Sequence, residues 1–225
     1  MRRSSANTSN SLCFIYLCQL GGLKQRSISD AGVTLTHFIC SGWTKNNITS
    51  TLAFDITQFF PSINHRLLPL IMKKAGCHSR VVQFFSNYLI DRKTWYCWNN
   101  FSSFFFNIDI GIGQGSALSS ILSALYISLV FHILEKCLKN LEIPVSILSF
   151  INDGLFIVQS KSLIVSNSLF FCSYNVVSSI LDKFSLILEY GKTEVFHFSR
   201  AQEVFNPSPL DLSAIGGPIL KPKDI

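Results

Sequence analysis

The stretch that most constrains the fold is residues 149–158, in which two short apolar runs flank Asn152-Asp153-Gly154. An Asp-Gly pair between apolar runs is a strong signal for a β-hairpin, because both central positions of the tight turn need a positive φ. Taken alone, the pattern is explained by an ordinary hairpin. A second interpretation comes from its context, since a strand pattern ending at Asp55 lies upstream and a Gly-Gln-Gly-Ser loop, residues 113–116, lies between them. A turn that bears an acid, opposite a strand that bears another, is how two-metal phosphoryl-transfer sites are built.

The order of the predicted elements indicates an α+β fold. A modest helix is expected at residues 30–40. It is followed by a β-branched strand at 48–56, short helices up to residue 90, a hairpin around Asn99-Asn100, a helix from 117 to about 140, the central hairpin, a helix at 166–184 and a strand at 194–198. Without the inserted pieces, this order predicts a split β-α-β-β-α-β antiparallel sheet with helices packed on one face. The two central strands of that topology are neighbours, so Asp55 is expected to meet Asn152 and Asp153.

Composition favours a well-buried intracellular domain with a polyanionic partner. Only 14% of the residues are charged, the mean hydropathy is +0.34, and the net charge is +6. The seven cysteines contain no Cys-x-x-Cys pair, which argues against a zinc finger, and residues 1–10 lack the apolar core of a signal peptide. Four serines and a histidine interrupt the uncharged segment 117–134, so we expect a buried helix there and not a membrane span. We also expect Phe104-Phe105-Phe106 to lie in the core or a sheet, the alternative being a base-stacking platform. Lys24 and Arg26 are expected to lie in a solvated turn.

Five short motifs follow one another along the chain. They are residues 19–31, Ala-Phe-Asp-Ile-Thr-Gln-Phe-Phe-Pro-Ser-Ile-Asn-His at 53–65, Gly-Ile-Gly-Gln-Gly-Ser-Ala-Leu-Ser-Ser at 111–120, Phe-Ile-Asn-Asp at 150–153 and Gly-Lys-Thr-Glu at 191–194. Each is weak alone, but in this order they resemble the palm motifs of reverse transcriptases of non-LTR (LINE-type) retrotransposons. The resemblance implies a right-hand polymerase palm that synthesises DNA on an RNA template.

The resemblance also implies a domain organisation and a set of partners. Residues 1–47 would be a remnant of the fingers and pre-palm segment, residues 48–200 the palm, and residues 201–225 an extended C-terminal connector that stops before the primer grip and thumb. The chain is therefore expected to be a truncated, degraded copy of its family. Its partners would be an RNA template, a DNA primer and deoxynucleoside triphosphates, and no membrane.

Roles for individual residues follow from the same resemblance. Asp55 and Asp153 would hold two Mg²⁺ ions, one that activates the primer 3′-oxygen and one that clamps the triphosphate. Lys192 would donate a proton to the departing pyrophosphate, although a solvated lysine after a turn glycine explains it equally well. The nucleotide-binding positions would be a gate against the ribose 2′-hydroxyl and two residues that flank the new base pair: Phe60, Gln114 and Gly115.

The chain departs from the family pattern at Asn152, where the family has the first of two aspartates. An amide offers Mg²⁺ an oxygen but no charge, whereas carboxylates and substrate phosphates are the usual ligands. We therefore expect this copy to be inactive or nearly so. The alternatives are a nucleic-acid-binding fragment without catalysis and, from the apolar segment 117–134, a membrane-associated helical protein.

Overall fold

The computed structural model describes residues 19–21, 25–200 and 207–223, and these form an α+β domain. Its helices are α1 (Ile28–Thr44), α2 (Phe59–Ser62), α3 (Leu67–Lys74), α4 (Ser79–Leu89), α5 (Ala117–Asn140) and α6 (Leu163–Lys183). Its strands are β1 (Ile48–Phe54), β2 (Ile56–Thr57), β3 (Lys93–Thr94), β4 (Cys97–Trp98), β5 (Phe101–Ser102), β6 (Phe106–Asn107), β7 (Ser146–Phe150), β8 (Asp153–Ser160), β9 (Ile187–Leu188), β10 (Glu194–Phe198), β11 (Leu210–Asp211) and β12 (Ile219–Leu220).

The main sheet is antiparallel and has the strand order β10-β1-β8-β7. This order confirms the predicted split β-α-β-β-α-β sheet, because its first and third strands lie side by side at the centre. The register pairs Leu52 with both Phe156 and Val195, and it pairs Phe54 with Gly154. The end of β1 is therefore fixed beside the start of β8, as the element order predicts.

Helices α5 and α6 cover one face of this sheet. Leu52, Phe54 and Phe156 point into that layer and are almost fully buried, and the Phe131 ring of α5 lies 6.4 Å from the Phe54 ring. The Tyr126 hydroxyl of α5 donates a hydrogen bond of 2.7 Å to the backbone carbonyl just beyond α6. Burial of each large apolar side chain contributes roughly 1.5–3 kcal/mol, so this layer is the main source of stability.

Helix α1 packs on the opposite face, against β1, β7 and β8. The prediction that the helices pack on one face is therefore only partly right, since α1 covers the other face. The physical reason is that the sheet is apolar on both faces, since Leu148 and Ile157 are buried on the α1 side. The helix begins at a capping box formed by Ser27 and Asp30. It is longer than the predicted span of residues 30–40, since it begins at Ile28 and ends at Thr44.

Residues 207–223 were expected to belong to an extended connector, but they fold back onto the domain. Strands β11 and β12 pair, and Leu210, Leu212 and Leu220 are buried against the core. Gly217 packs so closely that a Cβ there would lie 2.9 Å from the Tyr174 ring of α6. The apolar side chains of this segment thus outweigh its proline and glycine content. The remainder of the predicted connector, residues 201–206 and 224–225, lies outside the described residues.

Two helices in the described part of the chain, Leu118–Asn140 and Leu163–Lys183, are long and apolar enough to cross a membrane by length and composition alone. The first is largely buried against the sheet, in agreement with the prediction of a buried helix. Core helices of soluble proteins pass the same test, so it carries little weight.

Candidate active site

The site forms where β1 ends and the β7–β8 turn begins. Asp55 follows the last residue of β1, and Asn152 and Asp153 lie at the turn that precedes β8. Because Phe54 is paired with Gly154, the Asp55 side chain comes directly alongside this turn. Asp55 is only 7% exposed, which makes its charge expensive to keep unless neighbours compensate it.

The first compensating neighbour is Asn152, whose Nδ2 donates a hydrogen bond to Asp55 Oδ1. A carboxylate can only accept hydrogen bonds, so the amide must present its NH₂ group and turn its own oxygen away. An aspartate at position 152 would instead place a second carboxylate against the first. The side chain at this position therefore decides whether the contact is attractive by itself or requires a cation.

The second compensating neighbour is Lys192, whose Nζ lies 2.6 Å from Asp55 Oδ2. The lysine ends a short 3₁₀ turn, Tyr190–Lys192, and this turn is anchored because the Glu189 N–H donates a 2.8 Å hydrogen bond to the Asp55 carbonyl. The hydrogen bond to Asp55 and the charge of Asp55 raise the pKa of Lys192. The lysine side chain is 69% exposed, whereas that of Asp55 is 9% exposed. A cation at the surface thus neutralises a nearly buried anion.

Asp153 completes the cluster from the first position of β8. Partial burial of its carboxyl group, and then the neighbouring charge of Asp55, raise its pKa, while Lys192 lowers it. A side-chain hydrogen bond to Asp55 raises the pKa of Asp153 as well. The structure brings together all four residues that were predicted to share the catalytic spot: Asp55, Asn152, Asp153 and Lys192.

The turn itself differs from the prediction by one position. Phe150 pairs with Asp153, so the two turn residues are Ile151 and Asn152, and Gly154 lies inside β8. Ile151 has φ 58°, which is strained for a β-branched residue and costs roughly 1–3 kcal/mol. Gly154 is needed for packing and not for the turn, because a Cβ there would lie 2.1 Å from Cζ of Phe54.

A segment before α1 contacts strand β7 of the same hairpin. Gln19 is fully buried, and its neighbour Leu20 donates a 2.8 Å backbone hydrogen bond to the Ser149 carbonyl. Arg26 Nη1 donates a 2.5 Å hydrogen bond to the Gln19 carbonyl, so the prediction that Arg26 lies in a solvated turn is wrong. Lys24 lies outside the described residues. Composition and periodicity do not reveal this contact, and the resemblance at residues 19–31 marked the segment without predicting the contact.

Of the three predicted nucleotide-binding residues, one lies in α2 and two lie in the loop before α5. Phe60 is in α2, where its carbonyl accepts a 2.9 Å hydrogen bond from the Ile112 N–H. Gln114 and Gly115 form an exposed turn before α5, and Gly115 has φ 90°. The loop is therefore fastened to α2, which brings Phe60 near the start of the Gly-Gln-Gly segment. Their proposed contacts with a nucleotide stay predictions.

A cavity of about 600 Å³ opens beside the acids, between α1 and the sheet. Asp55, Asp153 and Lys192 lie at its polar end, and mainly apolar residues of α1 and β8 line the rest. Among the described residues, its lining does not include Phe60, Gln114 or Gly115. A ligand in this space would contact the acids at one end only.

The donor set does not make a two-metal site as it stands. Both carboxylate oxygens of Asp55 are engaged, one by Asn152 and one by Lys192, and Asn152 presents hydrogen atoms to the cluster. Within the described ranges, no group of three or more histidine, cysteine or acidic residues is placed to hold a metal ion. Two carboxylates, one of them paired with lysine, leave too little negative charge for a pair of divalent ions.

Neither a family model nor a curated protein matches the sequence. Solved structures do match. The chain is similar to apo telomerase from Candida tropicalis truncated from its C-terminal domain, with a TM-score of 0.61, 15% identity, and coverage of 80% of this chain and 36% of that one. It is also similar to Candida albicans telomerase in complex with a TWJ fragment of telomeric RNA, with a TM-score of 0.51, 14% identity, and coverage of 83% and 33%.

These likenesses bear on the fold. Together with the strand order, they show a palm-like α+β fold, in agreement with the predicted fold class. The chain spans about a third of the length of the telomerase chains that it matches.

Proposed function

We propose that this chain is the palm of a non-LTR-type reverse transcriptase in which RNA-directed DNA synthesis has been lost or nearly lost, while nucleic-acid binding persists. The proposal is supported by the palm-like fold, by the five ordered motifs, and by a net charge of +6 that suits a polyanionic partner. One of the similar telomerases was solved with an RNA fragment, which makes RNA a reasonable ligand to test.

The observation that carries the proposal is the hydrogen bond from Asn152 to Asp55. In the family pattern, residue 152 is an aspartate, and a third carboxylate would make metal binding the way to relieve repulsion within the cluster. The amide relieves that repulsion without a metal. Removal of a single oxyanion-hole donor elsewhere lowers rates by about 10²–10³, and removal of a primary metal ligand should matter at least as much. Asp55 and Asp153 remain the candidates for the residual metal ligands.

Two readouts on three proteins test this function. Primer extension on an RNA template with all four deoxynucleoside triphosphates, in Mg²⁺ or Mn²⁺, would be compared for the wild type, Asn152→Asp and Asn152→Asp/Asp55→Asn. Binding of Mn²⁺ to the same proteins would be followed by the loss of the free-ion electron paramagnetic resonance signal. The double variant is the matched control, because it has the same number of acids in the cluster as the wild type.

We expect no extension by the wild type, and saturable Mn²⁺ binding only by Asn152→Asp. Gain of extension by that variant would support the polymerase assignment further. Robust extension by the wild type would contradict the loss of activity. Failure of Asn152→Asp to bind Mn²⁺ any better than the double variant would contradict the assignment of this cluster as a polymerase metal site.

A further inference from the structure

The segment between α4 and α5 carries an unusual set of exposed rings. Residues 93–107 form the β-ribbon of β3 to β6, and they contain seven aromatic residues but no leucine, isoleucine, valine or methionine. Six of the seven side chains are more than half exposed, and Phe104 is 92% exposed. The expectation of a core or sheet position for Phe104-Phe105-Phe106 holds only for Phe106, which lies in β6, and none of the three rings is buried. The exposed rings are Trp95, Tyr96, Trp98, Phe101, Phe104 and Phe105.

The rings are paired across the ribbon. Trp98 is the direct partner of Phe101, next to the Asn99-Asn100 turn. The ring centroids of Tyr96 and Phe106 are 5.5 Å apart, and those of Trp95 and Phe105 are 5.2 Å apart. An isolated two-stranded ribbon is marginally stable in water, and these contacts stabilise it without covering the rings. The ribbon thus presents flat apolar faces to solvent, which is typical of an interaction surface.

The charge of the ribbon selects the kind of partner. From residue 92 to residue 108 the chain contains Arg92 and Lys93 and no acidic residue. Arg92 lies 5.3 Å from the centroid of the Tyr88 ring on α4, and Lys93 is exposed. Exposed aromatic rings without aliphatic side chains, with two cations at the base of the ribbon, suit stacked bases and a phosphate backbone better than they suit an apolar protein surface.

The position of the ribbon relative to the palm indicates which nucleic acid it meets. Its last strand, β6, is followed by residues 108–112 and then by the Gly-Gln-Gly loop. The base of the ribbon is held at Gly111, whose carbonyl accepts hydrogen bonds from His65 Nε2 at 2.5 Å and from Arg92 Nη1 at 3.4 Å. Under the proposed function, that loop flanks the base pair being formed. An RNA strand that leaves this loop as a single strand would pass onto the ribbon.

We propose that the aromatic ribbon, residues 93–107, is a stacking platform for single-stranded RNA. The proposal rests on the proposed function for the direction in which the strand runs. Stacking uses the faces of the rings and tolerates any base, so the platform would bind RNA with little sequence preference and with a strong dependence on salt.

The test is fluorescence anisotropy of a labelled twelve-nucleotide oligouridylate with the full chain, over a series of salt concentrations. Trp98→Ala/Phe101→Ala should weaken binding about tenfold to a hundredfold, because two stacking faces are lost. Trp98→Leu/Phe101→Leu should weaken it similarly, since leucine keeps apolar area but has no ring. Trp98→Phe/Phe101→Tyr should keep the affinity near that of the wild type. Ile164→Ala, which removes a 77% exposed side chain of α6, is the matched control and should change nothing.

Several outcomes would contradict the proposed stacking platform. Unchanged RNA binding by the alanine pair would do so, and so would full retention by the leucine pair. Loss of self-association in the alanine pair, with RNA binding intact, would assign the ribbon to contacts between copies of the chain. A duplex RNA bound as tightly as the single strand would also contradict stacking. The Mn²⁺ binding of Asn152→Asp is a separate readout, so failure of the platform is distinguishable from failure of the proposed function.

Discussion

Lys192 Nζ lies 2.6 Å from Asp55 Oδ2, although the two residues are 137 positions apart in the chain. This ion pair closes the site from the side opposite Asn152, so that both oxygens of the Asp55 carboxylate have a partner from the protein itself. The consequence is a cluster that is electrostatically complete without a metal ion. Asn152 adds no charge to this cluster, so two carboxylates lie there and not three.

Replacement of Lys192 by glutamine should lower the melting temperature near neutral pH, because Asp55 then keeps a buried charge with no cation. The pKa of Lys192 is raised in the fold, so its stabilisation is present below the ordinary lysine pKa of 10.5 and is lost as the pH rises through the folded value. The difference between the two proteins should therefore shrink in strong alkali. Thermal unfolding followed by circular dichroism measures this, with Lys192→Arg as the charge-preserving control. Equal melting temperatures for Lys192→Gln and the wild type from pH 6 to 9 would refute the ion pair's role.

Gly154→Ala should destabilise the domain by about 1–3 kcal/mol or more, because the added Cβ would lie 2.1 Å from Cζ of Phe54 at the centre of the sheet. Gly32→Ala is the matched control. It lies within α1 with no heavy atom within 4 Å of the added Cβ, and it should stabilise the protein by roughly 0.5–1 kcal/mol. Urea unfolding distinguishes the two. A Gly154→Ala protein as stable as the wild type would contradict the tight packing of β8 on Phe54.

The central geometry could be predicted from the sequence because it depends on element order. The split βαβ topology places β1 beside β8, and this alone brings Asp55 to Asn152 and Asp153. Only the resemblance indicated Lys192, which the structure places just before β10, the strand that pairs with the other side of β1.

Other features could not be predicted, for identifiable physical reasons. The turn is displaced by one residue because the ring of Phe54 requires a glycine in the strand, and this forces Ile151 into a positive φ. The burial of Gln19 depends on a long-range contact with Ser149 that leaves no periodic pattern. The exposure of Phe104 contradicts the general preference of phenylalanine for the core, and composition carries no signal for such an exception.

His197 should make the domain sensitive to mild acid. It is 8% exposed, its Nδ1 lies 2.8 Å from Ser50 Oγ, and burial lowers its pKa from 6.5 to about 4. His197 takes up a proton near pH 6.5 in the unfolded chain but only near pH 4 in the folded chain. The free energy of unfolding should therefore fall by roughly 2–3 kcal/mol as the pH is lowered from 6.5 to 4.

His197→Gln should make the free energy of unfolding less dependent on pH between 6.5 and 4, because glutamine does not titrate. Asp153, whose pKa is raised, acts in the opposite sense at lower pH and is present in both proteins, so the comparison isolates His197. Urea unfolding from pH 7 to 4 measures the difference. An equally steep decline in His197→Gln would contradict the assignment.

The most direct test of the account is the effect of Mn²⁺ on the melting temperature of the wild type and of Asn152→Asp. Without metal, Asn152→Asp should be less stable than the wild type by about 1.5–3 kcal/mol, because a hydrogen bond to a charged group is replaced by repulsion between carboxylates. Millimolar Mn²⁺ should raise the melting temperature of Asn152→Asp and leave that of the wild type unchanged, since only a folded state that binds the ion is stabilised by it. Equal stabilisation of both proteins by Mn²⁺ would contradict the proposal that Asn152 and Lys192 satisfy Asp55 without a metal ion.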